Sequence, residues 1–68
     1  MNNRDAGNEI RIARIKAGFS QTSLAERLNV KQATVCNWET GKSLPKPQTM
    51  VRLSELLNIP VEKLLKVG

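Results

Sequence analysis

Very little of this chain is suited to making or breaking bonds. It has no histidine and one cysteine, Cys36. Acid–base and nucleophilic catalysis usually need paired carboxylates, His or Cys gathered in a pocket. Here the six acidic residues are scattered along the chain, and no glycine-rich phosphate loop is present. An enzyme is therefore not expected. The missing histidine excludes a Cys/His zinc site, and a lone cysteine builds no disulfide framework. No cofactor, metal or small-molecule ligand is implied. What the chain has in quantity is positive charge: 11 Lys+Arg against 6 Asp+Glu, net +5, with a pI near 10.0. A pI above about 9 fits a polyanionic partner such as nucleic acid, although an inert basic surface has the same composition.

The length of 68 residues allows one domain, spanning 1–68 with a core of about 6–66. A core of this size stabilises by only a few kcal/mol. No apolar run approaches the ~20 residues of a membrane span. The segment Met1–Asn8 is polar, so no secretory signal is read there. A free cysteine without an export signal points to the reducing cytoplasm. The start at Met1 and the lack of a second domain suggest a complete small protein.

Phe19 and Trp38 are the only aromatics, and alternating apolar stretches are short, so strands are not expected. The helical period is clear instead. A first helix is expected from about Ala6 to Ala17. Ile10, Ala13 and Ala17 share one face, and Ile12 and Ile15 lie nearly opposite. Gly18 suits its left-handed C′ position. Ser20 can cap a second helix, about Gln21–Leu28. Asn29 tolerates the left-handed conformation. A third helix, about Gln32–Thr40, closes at Gly41. Pro47 suits the first position of a fourth, about Pro47–Leu57, because its missing N–H costs nothing there. Asn58-Ile59-Pro60 breaks that helix, and a short fifth follows, about Val61–Lys66. The fold class is all-α, a five-helix bundle.

Within Gln21–Thr40 the apolar residues fall where two steeply crossing helices need them. Leu24, Leu28, Val35 and Trp38 face the core, Val30 plugs the turn, and Ala25 is small where the second helix passes over it. This is the pattern of a helix-turn-helix, in which the second helix is held out from the body.

The run Ile10…Arg14…Gly18-Phe19-Ser20-Gln21…Leu24-Ala25…Leu28…Val30, then Val35…Trp38-Glu39-Thr40-Gly41-Lys42…Pro45, then Leu53…Leu57-Asn58-Ile59 resembles the Cro/repressor family (XRE-type, lambda-repressor-like). The likeness covers about Glu9 to Leu65. Asn29 stands where that family usually has Gly, and Lys31 where a Ser or Thr usually caps the recognition helix. The resemblance implies a lambda-repressor-like bundle that binds double-stranded DNA and regulates transcription, most simply as a phage-like or bacterial repressor. It implies a cytoplasmic, nucleoid-associated protein. Gln32, Ala33, Thr34 and Asn37 fall on the face away from Val35 and Trp38, where such proteins meet base edges. Gln32 or Asn37 can pair bidentately with adenine N6/N7, and Ala33 can touch a thymine methyl; a solvated polar face is the plain alternative. Gln21, at a helix start, resembles the family's phosphate anchor. Ser20, Lys31, Lys42, Ser43 and Lys46 can add backbone contacts, which position without reading sequence. Arg14 and Glu39 correspond to a partly buried ion pair, and Arg14 can also touch a phosphate.

The expected form is a homodimer on a roughly palindromic operator, with half-sites about 34 Å apart. Leu44, Pro45 and Val61 are the candidate dimer residues, because the DNA face does not claim them. Trp38 reads as core rather than as a stacking platform for single strands. Cys36 reads as a small residue rather than a redox sensor. Two other readings stay open. In one, the same fold grips a protein, as an antitoxin or anti-regulator would, and the off-core pair Ile12 and Ile15 favours it. In the other, the chain is a basic RNA-binding bundle, although single-strand readers usually display aromatics.

Overall fold

The computed structural model describes residues 3–65, with side chains from Arg4 to Leu64. Five helices succeed one another: α1 (Asn3–Lys16), α2 (Gln21–Leu28), α3 (Gln32–Thr40), α4 (Pro47–Leu57) and α5 (Val61–Leu65). No strand occurs among the described residues. None of their helices is long and apolar enough to cross a membrane. The expected extension of the last helix to Lys66 lies outside the described residues.

Local chemistry sets each boundary. At the entry to α2 the Ser20 hydroxyl accepts from the Ser23 amide at 3.0 Å, and the Ser23 hydroxyl accepts from the Ser20 amide at 2.9 Å. This reciprocal box satisfies two amides that the helix itself leaves unpaired. Asn29 ends α2 in the left-handed region (φ 59°, ψ 44°), with its N–H on the carbonyls of Ala25 and Glu26. Asn58 does the same for α4 (φ 56°). Gly41 closes α3 at φ 84°, donating to Asn37 and Trp38. Pro47 stands in the first turn of α4. Arg52 on α4 donates to the Arg27 carbonyl at 2.9 Å, tying α4 to the last turn of α2.

Apolar side chains from all five helices and the α4–α5 turn meet in one core. Ile10, Leu24, Val35, Leu53 and Leu64 are fully enclosed; burying each such side chain is worth about 1.5–3 kcal/mol. Ala25, Leu28, Trp38, Met50, Leu57 and Ile59 complete the cluster, with Val30 packed against it.

The first helix differs from the sequence expectation in two ways. Its described span opens at Asn3 rather than near Ala6, a difference the sequence does not signal because the opening turn is polar and carries no apolar marker. Its buried face is also displaced toward the N-terminus. Ala17 is exposed, whereas Ala6 and Gly7 are buried with Ile10. The cause is α3, the element α1 packs against most extensively. A Cβ on Gly7 would collide with the Trp38 carbonyl oxygen and stand 2.8 Å from that of Glu39. Backbone meets backbone there, and no flexible side chain can yield. Gly7→Ala should therefore destabilise the protein by about 3 kcal/mol, the upper end of overpacking costs. A urea-unfolding midpoint equal to the parent's would show that α1 moves aside freely.

Candidate nucleic-acid interface

A chain of polar contacts links α1 to the first residue of α3. Arg14, on the last turn of α1, donates from Nε to Glu39 Oε2 at 2.6 Å and from Nη2 to Glu39 Oε1 at 3.2 Å. Its Nη1 donates to the Phe19 carbonyl at 2.8 Å. The pair is nearly dry, with side-chain exposures of 11% for Arg14 and 3% for Glu39. Glu39 Oε1 also accepts from Gln21 Nε2 at 3.0 Å. The other end of the Gln21 amide, Oε1, accepts from Gln32 Nε2 at 2.6 Å. Two-point contact between guanidinium and carboxylate fixes orientation as well as distance. One residue on α1, one at the start of α2 and two on α3 are thereby locked together. No buried side-chain nitrogen or oxygen among the described residues lacks a partner.

The expected base-reading residues occupy the outward side of α3. Gln32 and Ala33 are exposed, and Thr34 and Asn37 are half-buried. Val35 and Trp38 take the inward side and are buried. Cys36 is half-buried. Lys31 precedes α3 in an extended conformation and makes no side-chain cap. At the start of α3 the Gln32–Gln21 contact is thus present where no hydroxyl cap is made.

The residues expected on phosphates separate into two groups. Ser20, Lys31, Lys42, Ser43 and Lys46 are exposed, and Gln21 is half-buried. Ser20 and Gln21 are chain neighbours at the start of α2, and Gln21 reaches Gln32 through the amide pair. Arg14 does not join them at the surface. Three of its N–H groups point into the protein, and its exposure is low, so its geometry is that of a support behind Gln21. Of the candidate dimer residues, Leu44 is exposed and Val61 half-buried. Pro45 is buried in the monomer's own interior, so it offers no free surface to a second copy.

Sequence reasoning missed three contributors. Gly7 shows no local signal, because nothing in its neighbours reveals that a carbonyl crosses it. Ser23 stands where a capping box usually has Glu or Gln, so the box carries no sequence signature. The bonds from Gln21 to both Glu39 and Gln32 join residues 18 and 11 positions apart, beyond any helical period.

Removing one member of a buried ion pair leaves the other charged and dry. Glu39→Ala should destabilise by about 3–5 kcal/mol, while Arg14→Met with Glu39→Met should recover most of that loss. Denaturant melts of the parent and the two variants check this; a Glu39→Ala midpoint matching the parent would show that the pair does not hold the helices.

Comparison with known proteins identifies the family. Residues 10–64 match the Helix-turn-helix family. The chain is 36% identical over 59 residues to the HTH-type transcriptional regulator ImmR of Bacillus subtilis (strain 168), covering 87% of this chain and 46% of that protein. It is 35% identical over 57 residues to a protein of Pyrococcus furiosus, provisionally named as an HTH-type transcriptional regulatory protein, covering 84% of this chain and 18% of the other. The chain thus spans less than half the length of these relatives. Its five-helix bundle, the left-handed turn at Asn29 and the match from Ile10 to Leu64 together make it a member of the helix-turn-helix family of transcriptional regulators.

Proposed function

We propose that this chain binds double-stranded DNA with sequence preference by laying α3 in the major groove, and that it represses transcription by occupying its operator. The observation that carries the reading is the division of α3 into an outward polar side and an inward locked one. Gln32 and Ala33 are exposed on the first turn, and a groove-entering helix reads bases from its N-terminal residues. Ser20, Gln21, Lys31, Lys42, Ser43 and Lys46 supply phosphate contacts that set register. The net charge of +5 favours the encounter with a polyanion. A homodimer on a palindromic site, half-sites about 34 Å apart, fits the small area one copy offers. Leu44 and Val61 remain available to that contact.

A second reading has its own observation. Ile12 and Ile15 are 45% and 56% exposed, and Ile12 lines a groove of about 440 Å³ between α1 and the α4–α5 turn. A protein that gripped this side would use the fold without DNA.

Selection of bound sequences from a random duplex pool tests the first reading directly. A palindromic motif is the expected result, with affinity falling steeply as salt rises, because neutralised phosphates release counterions. Gln32→Ala should lose preference at one base pair by about 5- to 150-fold, from the ~1–3 kcal/mol of a bidentate pair. Lys42→Ala should weaken all sequences alike. No duplex affinity even at low salt would favour the protein partner.

A further inference from the structure

We infer that Glu39 is a positioning residue for base reading: acting through Gln21, it fixes which way round the Gln32 amide faces. The inference rests on the proposed role of Gln32 and adds a residue that does not itself reach the groove.

A carboxylate accepts hydrogen bonds and donates none. Glu39 Oε1 already takes Arg14 Nη2 at 3.2 Å and Gln21 Nε2 at 3.0 Å. The charge therefore dictates that Gln21 turns its NH2 group toward Glu39. An amide has one donor end and one acceptor end, so Gln21 Oε1 must face the other way. There it meets Gln32, whose Nε2 donates to it at 2.6 Å. Turning Gln21 over would set its oxygen against the carboxylate and its NH2 against the NH2 of Gln32. Turning both glutamines relieves the second conflict and leaves the first. The polarity is thus set at a nearly dry ion pair and handed outward through two amides to an exposed residue. What Gln32 has left for a base is its Oε1 and one N–H, in fixed order. That is the acceptor and donor that adenine N6 and N7 match.

Glu39→Gln removes the dictate, because a neutral amide both donates and accepts. Gln21→Met cuts the relay while leaving the Arg14–Glu39 pair whole, so it keeps the test open if Glu39→Gln does not fold. In selections from a random duplex pool, both variants should lose preference on the order of tenfold at the base pair that Gln32→Ala identifies, with preference at other positions unchanged; Gln21→Met also gives up a phosphate contact and so weakens all sequences alike. A merely structural role would instead lower affinity for every sequence and leave the motif intact, and that result overturns the inference. The free protein gives a second readout. The side-chain NH2 signals of Gln32 in NMR spectra should move toward those of a solvated amide in both variants; unmoved signals also overturn it. If the parent protein selects no duplex motif, the proposed function fails by itself, and the amide signals still decide the relay.

Discussion

A guanidinium taken almost out of water must be met by a carboxylate, and the place of that carboxylate decides how the surrounding helices cross. Arg14 projects from α1 and Glu39 from α3, and between them they set the angle of the two helices that pack most extensively. Desolvating both charges has a cost that their attraction only partly returns. The arrangement therefore makes more sense as a fixer of geometry than as a source of stability. The third donor of Arg14 reaches the Phe19 carbonyl, so the α1–α2 turn is registered to the same point. Three segments are aligned by one planar group.

From that point order runs outward along α3. Its C-terminal half is gripped, with Trp38 and Glu39 buried and their carbonyls lying against Gly7. Its first two residues, Gln32 and Ala33, follow no side-chain cap and are exposed. Such an element is rigid where it is anchored and exposed at its first turn, the form that the proposed contact with a groove needs. The Gln21–Gln32 bond steadies the exposed end, supplying some of the order that a capping hydroxyl would otherwise give.

Many of these features are legible in the residues, and the reason is physical. Ser20, Asn29, Gly41, Pro47 and Asn58 each act on their own backbone within a few residues, so the bounds of α2, α3 and α4 derive from local chemistry. The apolar spacing from Leu24 to Trp38 is likewise a property of two short helices joined by a tight turn. The start of α1 is not legible, since Asn3, Arg4 and Asp5 carry no apolar period and extend a helix whose anchoring begins at Ala6. Gly7 escapes for the opposite reason: its meaning lies in a backbone that arrives from residues 38 and 39. At the candidate site the outward positions of α3 come from the period, and the Arg14–Glu39 pairing from family likeness. The bonds through Gln21 need three dimensions, because they join the starts of two helices to the end of one.

The backbone contact at Gly7 has a consequence for how this fold can diversify. Because α1 touches α3 through main-chain atoms, that contact makes no demand on the identity of most α3 side chains. The demands fall on Val35, Trp38, Glu39 and Gly41, while Ala33 is exposed and Thr34 and Asn37 are only half-buried. Substitutions there can accumulate without passing through unfolded ancestors. The scaffold thus separates the residues that keep it standing from those proposed to give it an address.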